Sequence, residues 1–310
     1  MKVAIVGIGG IGGYYGGRLA RYYAVRDDIE VIFIARGEHL KEIQKNGLKQ
    51  LTEEGTFTAI PDKATDDPAA CGRFDVVLFC VKTYDLEAGA SLLKDSIDAR
   101  TVVISLLNGV DNAERLEAVL PGAHILNGCV YISAHIVRPG VVRQAGGSCK
   151  LFFGPDNRAQ KNYRAVERLL KDAGIAAEYS ENIKAVVWEK FIFIAALASA
   201  TTYLGKTFGE LTDDSQSEAL LNGLLEEVER VGRAQSVDFA EDIRKTTLEK
   251  ITLFPYDTKT SMQMDFEKGK KTELETFTGY MVRFAERHGI SAPLHATVYD
   301  ALLKRSAAWK

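Results

Sequence analysis

Histidine is scarce: five residues, His39, His124, His135, His288 and His295, are dispersed along 310 positions, and none stands in an HExxH pair. A metal-hydrolase helix of that type is excluded. The four cysteines, Cys71, Cys80, Cys129 and Cys149, include no CxxC pair, so reduced thiols are expected rather than bridges or metal ligands. No charge of one sign dominates. Thirty-nine Lys and Arg stand against forty-two Asp and Glu, a net charge of -3 that gives no electrostatic reason to expect nucleic acid. An acidic substrate would have to be met by local charges. The run from Phe191 to Gly205, fifteen residues without a formal charge, falls short of the roughly 18 that would argue a membrane span. It also contains Ser199, Thr201 and Thr202. The opening MKVAIVGIGG enters a strand directly and lacks the pattern of a secretory signal, so a cytoplasmic protein is expected. Repeats and low-complexity tracts are absent.

What is present is a chain long enough for two ordinary domains. Its first third alternates short β-rich runs with helical patterns: KVAIVG, a helix from about Ile11, EVIFIA, a helix from about His39, DVVLFCV, a helix over DLEAGASLLKDSI, and TVVISLL. Such alternation builds an α/β domain, a doubly wound parallel sheet of Rossmann type. GLKQLTEEGTFTAIP reads as a small antiparallel insertion turning at EEG. The runs from HILNG to KLFFG, turning at RPG, predict that the later part of the sheet is mixed or antiparallel. A helix over Tyr163 to Ala173 and a strand IAAEYS follow. Beyond about Asn182 only helical patterns remain, over Ile183 to Leu204, Ser215 to Ala234, Ala240 to Leu253, Thr272 to His288 and Leu294 to Arg305. We therefore expect a dinucleotide-binding domain over 1–181 and an all-helical substrate domain over 182–310.

VGIGGIGG supplies Gly7, Gly9 and Gly12 in GxGxxG spacing, directly after a strand and opening a helix. The first glycine allows the tight turn, the second lets a pyrophosphate approach the backbone, and the third permits close helix-to-strand packing. Gly10 and Ile11 complete the phosphate turn, where helix N–H groups and the positive dipole end favour an anion. An NAD enzyme usually ends its second strand with Asp or Glu for the ribose 2′-hydroxyl. Here the strand ends IARG, and Arg36 at that place favours a 2′-phosphate through charge-assisted bonds, so NADPH is the expected cofactor. Lys82 in FCVKTYD and Asn108 with Gly109 in SLLNGVD occupy two further strand ends, where ligands of open parallel sheets bind. Lys82 could meet the cofactor or an anionic substrate, and Asn108 the nicotinamide carboxamide or ribose.

A nicotinamide enzyme that reduces a carbonyl needs a group to protonate the forming alkoxide. The histidines offer no constellation, with His135 alone kept as a reserve acid. Lys190 heads the uncharged run, and a lysine in a desolvated pocket can be tuned toward proton donation near neutrality. It could also be a helix lysine that merely snorkels to water. Over nearly its full length the chain resembles the ketopantoate reductase family, the NADPH-dependent 2-dehydropantoate 2-reductases. The resemblance rests on GIGGIG, Arg36, VKTYD, LLNGV, WEKF heading a long helix, and SMQMDFEKGKKTELE. It implies reduction of a branched 2-oxo acid, ketopantoate to pantoate in pantothenate and coenzyme A biosynthesis. By that resemblance Lys190 matches the catalytic lysine, Ser261 and Glu273 match the Ser and Glu of the substrate site, Glu273 also lies within reach of the cofactor, and Lys82 and Asn108 gain places in the cleft. A homodimer stays open.

The departures are specific. Where pantoate-forming members carry asparagines one and two turns after the lysine, this chain has Ile194 and Ala198; the NGEL segment reads FGEL with Phe208, and Thr258 replaces an asparagine before the serine. A site stripped of its amide partners loses discrimination for a hydroxyl. Two alternatives follow: a paralogue acting on a more apolar 2-oxo acid, or a non-catalytic NADPH-binding sensor. Taken alone, Ser261 reads as a helix cap and Glu273 as a first-turn helix acid.

Overall fold

The opening run KVAIV is buried on both sides: Val3 and Ile5 join one apolar cluster, Ala4 and Val6 another. Two-sided burial is the mark of a central parallel strand. It forms β1 (Lys2–Val6) of a computed structural model that describes residues 1–156 and 163–309. The chain divides into two compact units, Met1–Lys184 and Ala185–Lys310.

In the first unit β1 is followed by α1 (Gly10–Tyr23), β2 (Glu30–Ile34), α2 (Gly37–Asn46), β3 (Leu48–Thr52), β4 (Gly55–Ala59), β5 (Lys63–Thr65) and β6 (Val76–Phe79). Then come α3 (Leu86–Ser91), β7 (Val102–Ser105), α4 (Asn112–Val119), β8 (His124–Val130), β9 (Ser133–Arg138), β10 (Val141–Gly146), β11 (Leu151–Gly154), α5 (Arg164–Asp172) and β12 (Ala177–Tyr179). The main sheet has the order β12-β11-β8-β7-β6-β1-β2-β5. It is parallel from β5 to β8, β11 is antiparallel to β8, and β12 is parallel to β11. The chain lays β2 and β5 on one side of β1 and then crosses to β6 on the other. That reversal is the switch point of a doubly wound sheet.

The predicted hairpin at EEG is present, β3 pairing with β4. The RPG hairpin requires a correction. Strands β9 and β10 leave the main sheet and join β3 and β4 in a second, four-stranded sheet of order β4-β3-β10-β9. Helix α1 lies between the two sheets, and its glycines allow this on both sides. A Cβ on Gly12 would stand 2.1 Å from the Gly7 carbonyl oxygen, toward the main sheet. On the other side, Cβ atoms on Gly10, Gly13 and Gly17 would meet Ala134 O at 2.1 Å, Val142 Cγ1 at 2.7 Å and Gln50 Cδ at 2.4 Å. Side chains at these positions would separate the layers.

The second unit is helical: α6 (Ile183–Leu204, which begins at the end of the first unit), α7 (Phe208–Thr212), α8 (Ser215–Ala234), α9 (Ile243–Ile251), α10 (Ser261–Glu267), α11 (Tyr280–His288) and α12 (Pro293–Ala307). Helix α6 is apolar nearly all round, as a helix surrounded by others must be. Among the described residues no helix is long and apolar enough to cross a membrane. The sequence pattern gives no span to α7 or α10 and overextends two helices. The span expected from Ala240 shrinks to α9, and the span expected from Thr272 begins instead as a π turn, Glu275–Gly279, before α11. Helix α3 is likewise shorter than DLEAGASLLKDSI implied, ending at Ser91.

Candidate functional site

Register brings the first group of expected residues to one edge. Ile34, Val6, Phe79 and Ser105 are successive partners across β2, β1, β6 and β7. The residues that follow each of them leave the same end of the sheet: the glycine turn after Val6, Arg36 after Ile34, Lys82 after Phe79 and Asn108 after Ser105.

Gly7 sits at the switch point with φ +89°, its N–H donating to Ile34 O (2.9 Å). A Cβ there would lie 2.8 Å from Val81 Cγ1. Only glycine accepts both the backbone angle and the space. Gly9 caps α1, and no heavy atom lies within 4 Å of where its Cβ would be. The first helical bond runs from Gly13 N–H to Gly9 O (2.9 Å), so the N–H groups of Gly10, Ile11 and Gly12 precede the helical ladder. The first turn holds no acidic residue to compete for them. Open backbone, unladdered donors and the positive helix end fit a pyrophosphate.

Arg36 caps α2 in extended conformation with its side chain 83% exposed, and Nη2 donates to Asp85 Oδ2 at 2.7 Å. Asp85 was not singled out by sequence reading, although VKTYD contains it. Lys82 is half-buried at the cap of the short turn Thr83–Asp85. Asn108, also half-buried, precedes Gly109 (φ +107°), and its carbonyl accepts from Asn112 Nδ2 (2.9 Å). Burial pushes the Cys80 thiol up, so it stays protonated and inert. His39 accepts the Gly140 N–H at Nδ1 (3.1 Å), and burial, opposed by its contact with the Ile8 carbonyl, holds its imidazole below the ordinary value. It is a neutral tie between α2 and the second sheet. His135, the reserve acid, is exposed on β9. The described cysteines are all free, and no cluster of His, Cys, Asp or Glu among the described residues could hold a metal.

In the second unit, Trp188 and Phe191 anchor α6. They pack edge to face on each other (5.3 Å), Trp188 reaches Phe239 (6.3 Å), and Phe191 reaches Tyr280 (5.6 Å). Lys190 lies on the less buried side of the helix with Phe193 and Ile194. Ala198, one turn beyond Ile194, is fully buried, so the two positions differ in access. Glu273 is buried just before the π turn, its carbonyl accepting from Thr276 N (3.0 Å) and Phe277 N (3.2 Å). This corrects its reading as a first-turn helix acid. Ser261 is exposed at the first position of α10, and the cap is Thr260, whose hydroxyl accepts from Gln263 N. Two buried hydroxyl pairs tie α6 to these segments: Thr201 to Thr260 (2.9 Å) and Ser199 to Thr278 (2.8 Å). The helix of Lys190 is thereby registered against the segments of Ser261 and Glu273. No local motif announces these pairs.

Comparison with known proteins covers the whole chain. Residues 3–158 match the family described as ketopantoate reductase PanE/ApbA, and residues 182–306 match its C-terminal counterpart. The uncharacterized oxidoreductase YkpB of Bacillus subtilis is 30% identical over 97% of this chain and 98% of its own. A crystal structure of 2-dehydropantoate 2-reductase from Porphyromonas gingivalis is 35% identical, with a TM-score of 0.85 over 98% of this chain and 99% of that one. A PanE/ApbA family ketopantoate reductase from Ralstonia eutropha superposes with a TM-score of 0.90 at 29% identity, over 100% and 99% of the two chains.

Proposed function

The chain belongs to the ketopantoate reductase family, and from that membership we propose that it reduces a 2-oxo acid to the 2-hydroxy acid with NADPH, ketopantoate being the reference substrate. As a family member it is an oxidoreductase of the CH–OH/C=O pair. The observation that carries the reading is the shared sheet edge that receives the glycine turn, Arg36, Lys82 and Asn108.

The N–H groups of Gly10, Ile11 and Gly12 hold the pyrophosphate and Arg36 the 2′-phosphate. Asn108 orients the nicotinamide end, and Lys82 adds positive charge where an anionic substrate or cofactor approaches. When bound, the reduced nicotinamide supplies the hydride that reaches the carbonyl carbon. Lys190 donates a proton from its ammonium to the carbonyl oxygen, which completes the alcohol and leaves the amine neutral. Glu273 orients Lys190 for that transfer. Ser261 holds the substrate carboxylate or carbonyl by hydrogen bond.

The test is NADPH oxidation, followed by absorbance, over a panel of 2-oxo acids. Turnover on at least one is expected. Tight NADPH binding without turnover on any would mean a non-catalytic nucleotide sensor instead.

A further inference from the structure

We infer that the second unit carries an aromatic subsite for the substrate's side chain, and that the preferred substrate is an aryl-substituted 2-oxo acid. The inference rests on the reading of Lys190 as proton donor. Phe193 and Ile194 follow the lysine by three and four positions, so they share its side of α6. Both are half-buried, whereas Phe191, Ile192, Ala195 and Ala196 are buried. One turn from the lysine this helix therefore presents a ring and a branched alkyl group, with no amide.

The ring of Phe193 is not isolated. It packs against Phe254 (centroids 5.7 Å, planes 30° apart) and meets Phe208 edge to face (6.3 Å, 77°), while Phe208 and Phe254 meet at 5.4 Å and 72°. These are favourable aromatic separations. Backbone bonds secure the arrangement: Phe208 N–H donates to Thr258 O and Gly209 N–H to Tyr256 O, both at 2.9 Å. Phe208 and Thr258 are thus joined directly through their backbones. Phe208 itself is buried, yet Phe254 remains 45% exposed. A ring with two aromatic neighbours and an open face lies on an apolar ledge beside the lysine's face of α6.

The chemistry selects the occupant. A substrate hydroxyl on this ledge would lose water and find no amide to replace it, which costs free energy. An aryl ring loses little by leaving water and gains ring contacts. Discrimination by apolar pockets is typically about tenfold to two-hundredfold.

The experiment uses the full chain with saturating NADPH, and compares kcat/KM for phenylglyoxylate, phenylpyruvate, ketopantoate and pyruvate. The same series is run for Phe254→Ser, whose ring is exposed enough to spare the fold, with thermal unfolding as the check. At least one aryl acid should exceed ketopantoate by about tenfold or more. Phe254→Ser should cut the aryl value by about tenfold and leave pyruvate, which has no side chain to reach the ledge, within about twofold. Preference for ketopantoate over both aryl acids would overturn the subsite while leaving the reductase reading intact. So would an equal loss on aryl acid and pyruvate in the variant. Turnover on none of the acids would overturn both readings.

Discussion

Arg36 and Asp85 show how two effects on one residue can be ranked. Their bond at 2.7 Å involves a largely exposed guanidinium, and surface pairs of this kind contribute about 0 to 1 kcal/mol. A charge-assisted bond to a phosphate is worth about 1.5 to 3 kcal/mol, so the phosphate should win the guanidinium. Arg36→Ala should accordingly weaken NADPH by roughly tenfold to a hundredfold and NADH far less, as measured by fluorescence titration. Equal losses would remove Arg36 from the phosphate. Asp85→Asn should tighten NADPH, by about fivefold at most, because the competing carboxylate is gone. With Lys190 as the proposed proton donor, Lys190→Ala should lower kcat by about 10² to 10⁴ with NADPH affinity nearly unchanged. A lysine variant with full turnover would mean that Lys190 only snorkels.

Among the elements, α1 and α5 give the clearest tests. A Cβ on Gly10 would fall 2.1 Å from the Ala134 carbonyl oxygen, a backbone atom that cannot swing aside. Gly10→Ala should therefore destabilise the first unit by about 1 to 3 kcal/mol, read as a lower thermal midpoint. An unchanged midpoint would mean that β9 does not press on α1 in solution. On α5 the buried Glu167 accepts from Lys171 Nζ (2.9 Å), Arg164 Nη1 (3.1 Å) and the Tyr179 N–H of β12 (3.2 Å). The bond from Lys171 leads, desolvation opposes it, and the bonds from Tyr179 and Arg164 help to hold the carboxyl below the usual carboxylate range. Because the folded value is depressed, the stabilisation is present above the unfolded carboxylate value of about 4.3 and is lost as pH falls through the folded one. Glu167→Gln should be less stable than wild type at neutral pH, and denaturant titrations at decreasing pH should bring the two together below about pH 4. A constant gap across that window would assign the loss to packing alone.

For the whole molecule, a ligand that binds only the folded chain raises its stability by mass action. NADPH at about a hundred times its Kd should add about 2.7 kcal/mol, and Arg36→Ala should need at least tenfold more NADPH for the same rise in midpoint. The sequence by itself determined what short-range physics controls. The spacing of Gly7, Gly9 and Gly12 after an apolar run dictates a tight turn into a helix, and strand–helix alternation dictates a doubly wound sheet. The observed α6 and α8 keep the predicted bounds Ile183–Leu204 and Ser215–Ala234 because apolar patterning, and for α8 the Asp214 side chain accepting from Gln216 N and Ser217 N, act within a few residues. Tertiary structure alone decided what depends on distant partners. β10 pairs with β3 only after a long loop has closed, so the RPG hairpin, legible as a hairpin, could not announce its sheet. The π turn after Glu273, the bonds from Thr201 to Thr260 and from Ser199 to Thr278, and the ring contacts of Phe193 with Phe208 and Phe254 arise the same way. Each joins groups whose attraction exists only once packing has brought them together, and no local propensity encodes it.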